Sequence, residues 1–154
     1  MLTPTDLDWL TTLTAFPTIA GREERVIEFI EAWAGRRPGI DCAADDYGNL
    51  VLTVRGEHDS PPLWFTAHMD HPGFEVVSTR GREARLRLLG GVDEPTLKNS
   101  RVLLLSGGRN VKCEVLSVSM AKDRRKDDTT LRVRCARPVR VGDWGHFDLV
   151  RLSL

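Results

Sequence analysis

The hydrophobic period of this chain changes partway along, and that change limits what it can fold into. Residues 1 to about 37 carry apolar side chains at helical spacing. From residue 40 onward the spacing shifts toward two, the period of strands with one buried face. A single uniform architecture, all helix or all strand, is excluded by that switch.

The helical part divides in two. Leu7, Leu10, Leu13 and Thr14 follow one helical face between Pro4 or Thr5 and about Ala15, and Pro4 suits a first-turn position. Pro17 ends the run. A second helix is expected from about Gly21 to Arg36, with Val26, Ile27, Phe29, Ile30, Trp33 and Ala34 forming a broad apolar stripe. Glu23 and Glu24 at its start and Arg36 and Arg37 at its end complement the helix dipole. Pro38-Gly39 closes it.

Asp46-Tyr47-Gly48-Asn49 reads as a turn before a short strand, Leu50 to Arg55, and Glu57 to Pro62 reads as a polar loop. Leu63-Trp64-Phe65-Thr66-Ala67 is nearly continuous apolar sequence. Such a run is expected to be a strand buried on both faces of a helix-covered sheet. Beyond Pro72 short strands dominate. Phe74 to Thr79 and Ala84 to Leu89 flank an Arg80-Gly81-Arg82 turn, and Leu86 and Leu88 alternate with Arg85 and Arg87. Val111, Cys113 and Val115, then Leu131, Val133 and Cys135, repeat the pattern, and a last strand is expected over Phe147 to Leu152. Strands at this spacing indicate a small barrel or sandwich. The expected fold class is therefore an α/β piece, two helices plus sheet strands, followed by an all-β domain taken as a small barrel. The boundary is placed at residues 71/72, giving 1–71 and 72–154.

Composition narrows the function. Lys+Arg and Asp+Glu are both 22, so the net charge is zero and no basic excess points to nucleic acid. The charged stretch Lys122 to Asp128 reads as a solvated hairpin tip, because acids bracket its bases and no aromatic residue interleaves. No apolar run approaches the roughly 20 residues that span a bilayer, and acids near the N-terminus argue against a signal peptide. Cys42, Cys113 and Cys135 are odd in number and widely spaced. They suggest a reducing, cytoplasmic setting and core filling, with a solvent-facing thiol as the alternative.

Chemistry is concentrated in Ala67-His68-Met69-Asp70-His71. A histidine at the carboxyl edge of a strand is well placed for a metal. A carboxylate two residues on can accept its second ring N–H, which fixes the tautomer and raises the basicity of the ligating nitrogen. By itself His-x-Asp is a short pattern that also arises by chance.

The order of landmarks resembles the dinuclear metallo-aminopeptidases of the glutamyl aminopeptidase, endoglucanase-M and tetrahedral (TET) aminopeptidase type. The resemblance rests on Leu10 to Val26 with its Gly21-Arg22-Glu23-Glu24, on Asp46-Tyr47-Gly48-Asn49-Leu50, and on Ala67-His68-Met69-Asp70 followed by Gly73-Phe74. Gly90-Gly91, Arg101-Val102 and Val141-Gly142-Asp143 continue it. It implies an α/β catalytic domain interrupted by an all-β association domain. It also implies a hydrolase acting on short peptides with two divalent ions, zinc or cobalt. His68 would be a metal ligand and Asp70 the catalytic acid that orients it; His71 is a further candidate ligand or supporting group.

Three departures accompany the resemblance. Ala20 stands where the family has a capping Ser, and His71-Pro72 stands where an acid often follows. The remaining ligands that the family supplies after its β-domain have no match here: His146 is the only later histidine, and no Glu-Glu pair follows Glu24. The expectation is a chain inactive alone, forming a homo-oligomer or joining a complementary C-terminal half. The alternative is a non-catalytic scaffold, regulatory or split-enzyme subunit that associates through exposed strand edges of its β-domain.

Overall fold

Thr3 opens the first helix with a reciprocal cap. Its hydroxyl accepts the Asp6 N–H at 3.2 Å while the Asp6 carboxylate accepts the Thr3 N–H at 2.7 Å. In this computed structural model, which describes residues 3–56, 61–121 and 129–148, helix α1 spans Pro4–Thr14. None of its side chains is buried.

Helix α2 covers Glu24–Gly35, three residues later at its start than expected. Gly21 adopts φ +78° inside a tight turn in which Arg22 N–H donates to the Ile19 carbonyl, so the helix cannot begin there. Glu23 takes the cap position without a side-chain hydrogen bond. At the other end Arg37 folds back over α2, donating to the Trp33 carbonyl at 2.8 Å with its guanidinium 3.8 Å from the Trp33 ring centre.

Strands β1 (Ile40–Ala44) and β2 (Leu50–Val54) form an antiparallel hairpin. Asp45 builds its turn: one carboxylate oxygen accepts the N–H groups of Tyr47 and Asn49 and the other accepts the Asn49 amide. Gly48 supplies the left-handed residue, φ +84°. Arg55 clasps Asp41 at the open end.

The remaining strands are β3 (Gly73–Arg80), β4 (Glu83–Leu89), β5 (Arg101–Ser106), β6 (Arg109–Ser119), β7 (Thr130–Cys135) and β8 (Trp144–Phe147). They close an antiparallel barrel in the order β3-β4-β7-β6-β5-β8. Alternation decides what faces inward. Leu86 and Leu88 on β4 and Leu131 and Val133 on β7 are buried, whereas the arginines between them are exposed. Phe74 is fully buried and lies against Phe147, with ring centres 4.8 Å apart. A short helix α3 (Glu94–Asn99) joins β4 to β5 and adds the buried Leu97 to the same core.

Three expectations are corrected here. Leu63 to Ala67 is not a buried strand: residues 61–72 hold no helix or strand, and Leu63, Trp64 and Phe65 are 81%, 70% and 87% exposed. A strand needs hydrogen-bonding neighbours, and among the described residues none pairs with this segment. Second, the strand edges of the β-domain are not left open: the strands close into a barrel and pair with one another. Third, the final strand begins at Trp144, ahead of the expected Phe147; residues 149–154 lie outside the described residues. So does the charged stretch at 122–128. By its contacts the chain forms two compact units, one of residues 1–22 and 70–154 and one of residues 23–69. Among the described residues no helix is long and apolar enough to cross a membrane.

Candidate metal centre

The segment expected to carry the chemistry, Ala67 to His71, is followed directly by the first barrel strand. Gly73 starts β3 under close constraint: a side-chain carbon there would lie 2.0 Å from Ile19 Cγ2 and 2.7 Å from the Gly145 carbonyl. Pro72, just before it, packs on Gly90, whose missing side chain would meet the proline ring at 3.2–3.5 Å. Phe74 then enters the core. The Gly-Phe pair is thus explained by barrel packing, and it anchors the chain immediately after His71.

His68 is exposed and belongs to the unit of residues 23–69. Asp70 and His71 are partly buried and belong to the barrel's unit. All three sit on the irregular segment before β3. His146 lies on β8 across from Gly73, half-buried, its ring Nδ1 2.7 Å from the Phe147 carbonyl.

A catalytic zinc takes about three protein ligands plus a water or substrate. Among the described residues no group of three or more His, Cys, Asp or Glu side chains converges on one point. The described residues therefore do not by themselves fit a metal ion.

A pair absent from the sequence reading is the one between Cys113 and Cys135. Both are buried, as expected for core filler, yet they face each other across β6 and β7 with sulfurs 3.2 Å apart. Twenty-two residues separate them in sequence. Their inward positions were visible in the alternation, but their pairing depends on a register that no local pattern specifies.

The M42 glutamyl aminopeptidase family model matches residues 48–133. Among curated proteins none matches the chain. Several solved structures share its fold. PhTET1-12s, a dodecamer in its asymmetric unit, is 22% identical with a TM-score of 0.70, over 97% of this chain and 47% of its own. Aminopeptidase APDkam598 from the archaeon Desulfurococcus kamchatkensis is 23% identical with a TM-score of 0.70, over 96% of this chain and 45% of its own. A third, described as a candidate peptidase/endoglucanase, is 25% identical with a TM-score of 0.66, over 90% and 43%. The chain spans under half the length of each. The family match covers more than half of the 154 residues and includes both the Gly48-Asn49 turn and the Ala67-His68-Met69-Asp70 segment, so this chain belongs to the M42 glutamyl aminopeptidase family.

Proposed function

We propose that this chain supplies the first edge of the catalytic site, and the association domain, of a metal-dependent aminopeptidase-like hydrolase acting on short peptides. The observation that carries this reading is the family match, because it contains His68 and Asp70 directly ahead of the buried Gly73-Phe74. His68 presents an imidazole nitrogen to one of two divalent ions, zinc or cobalt. Asp70 is the acid that orients His68, and His71 stands beside them as a further ligand or supporting group. Residues 1–71 act as the catalytic part and 72–154 as the association part. The setting is cytoplasmic.

The other ligands and the general base come from a complementary C-terminal portion. In keeping with this, Leu63, Trp64 and Phe65, a few residues ahead of His68 in the sequence, are exposed apolar side chains. Exposed large apolar side chains of that kind favour association, as a homo-oligomer or with the complementary part. A second reading, a non-catalytic scaffold, regulatory or split-enzyme subunit, is favoured by the lack of a three-ligand group among the described residues.

The test is aminopeptidase assay of the purified chain with zinc or cobalt, beside the same chain joined to a complementary C-terminal portion. The chain alone should release no amino acid. The completed protein should be active, and His68→Ala should abolish that activity. Activity of the completed protein that survives His68→Ala would remove His68 from the site. Inactivity of every completed form would favour the scaffold.

A further inference from the structure

The barrel wall holds a second chemical feature, separate from the peptidase reading. Cys113 on β6 and Cys135 on β7 are directly opposite one another. The neighbouring pair Lys112/Ala136 carries the ladder hydrogen bond, Ala136 N–H to the Lys112 carbonyl at 2.9 Å. The cysteines therefore occupy a non-hydrogen-bonded position, where α-carbons approach to about 4.5 Å. That separation lies within the range of about 4.4–6.8 Å that a disulfide spans. The sulfurs are 3.2 Å apart, within reach of a thiol hydrogen bond, and the Cys113 sulfur also lies 3.5 Å from the Val111 carbonyl.

Both cysteines also line an open groove of about 740 Å³. Five cationic side chains, Arg82, Lys98, Arg101, Lys112 and Arg134, share that lining with one acid, Glu114. Arg134 and Glu114 are 3.9 Å apart, too far for a tight pair. Arg82 and Lys112 are exposed and have no ion-pair partner among the described residues. Lys98 is held by Glu94 at 2.7 Å and Arg101 lies 3.8 Å from Asp148, so the unpaired positive charge of the groove is that of Arg82 and Lys112, at the mouth above two thiols that are themselves buried in the barrel wall.

We propose that Cys113 and Cys135 form a reversible dithiol–disulfide site that reacts with an anionic, low-molecular-weight disulfide attracted by the cations of this groove. The hydrogen bond from Cys113 favours the thiolate at Cys135 and lowers its pKa, while the same bond and burial raise that of Cys113. Cys135 is 2% exposed, so reaction requires local opening of the groove end of β7; its thiolate then attacks one sulfur of the small disulfide. The S–S bond breaks, one small thiolate leaves, and a mixed disulfide remains on Cys135. Cys113 then gives up its proton and attacks the Cys135 sulfur, releasing the second small thiolate. Two protein thiols are oxidised to one disulfide, and the small disulfide is reduced to two thiols that take the two protons.

The test uses the reduced chain and oxidised glutathione, whose carboxylates supply the negative charge. After reaction and unfolding in denaturant, two of the three cysteines should resist alkylation, and digestion should yield a Cys113–Cys135 linked peptide while Cys42 is alkylated. Dithiothreitol should restore all three. Cys113→Ser should stop at one glutathione on Cys135. Should that variant fail to fold, the wild-type linkage map decides alone. Replacing both Arg82 and Lys112 by Gln should slow oxidation by glutathione disulfide about tenfold, and leave oxidation by the uncharged hydroxyethyl disulfide unchanged. Three alkylatable thiols after oxidation, or a link through Cys42, would overturn the site. An equal slowing with both disulfides would overturn the role of the groove.

Discussion

Ile19 fills the space that a side chain on Gly73 would need, its Cγ2 standing 2.0 Å from where that carbon would be. The contact ties the turn after α1 to the first residue of the barrel. It also explains why the family's Gly-Phe landmark begins with the smallest residue. The backbone at Gly73 is not left-handed, so crowding and not conformation demands glycine there.

Gly73→Ala should consequently overpack this junction and lower stability by about 1–3 kcal/mol. Gly35→Ala offers the contrast. Gly35 is the last residue of α2, with nothing within 4 Å of an added carbon, so the change should be neutral or stabilising by up to about 1 kcal/mol. Urea unfolding of the two variants beside the wild type measures both. Equal stability of Gly73→Ala and wild type would contradict the packing described for Ile19.

Two large apolar residues should respond oppositely to truncation. Leu131 is fully buried on β7, so Leu131→Ala should leave a cavity and cost about 2–5 kcal/mol. Trp64 is 70% exposed, so Trp64→Ala should change the stability of the chain by no more than about 0.5 kcal/mol. It should instead shift self-association toward monomer. Light scattering reads that shift; an unchanged assembly would exclude Trp64 from the contact surface.

The hairpin turn has a defined acid response. Hydrogen bonds from the Asn49 side chain and from the Asn49, Tyr47 and Gly48 backbone hold the Asp45 carboxyl below its ordinary value of 3.8. Because the folded pKa is depressed, the contribution of Asp45 is complete above 3.8 and is lost as pH falls through the folded value. The Tyr47 and Asn49 amide resonances should titrate together with a midpoint below 3.8, and Asp45→Ala should abolish that transition. A midpoint at or above 3.8 would show that the turn does not stabilise the carboxylate.

Much of this architecture is written locally. The helical stripe of α2, the turn ahead of β2 and the strict alternation of β4 and β7 follow from neighbouring residues and their period, whereas the Thr3 cap and the place of Asp45 in that turn went unread. Turn chemistry and side-chain alternation act over a few residues, so sequence reports them well. His68 and Asp70 are read in the same way, as a short motif within a family order, and their role in a site is a proposal.

Tertiary structure decided what depends on partners distant in the chain. Leu63 to Ala67 has the composition of a buried strand, but with no described neighbour to complete its hydrogen bonds it stays irregular and exposed. The order β3-β4-β7-β6-β5-β8, which closes the barrel, and the register that sets Cys113 against Cys135 likewise arise from long-range pairing. The sequence by itself thus determined the kinds of element and the motif ahead of the barrel. Only the fold determined which faces met, because pairing and packing free energy is gained between residues whose separation along the chain carries no local signal.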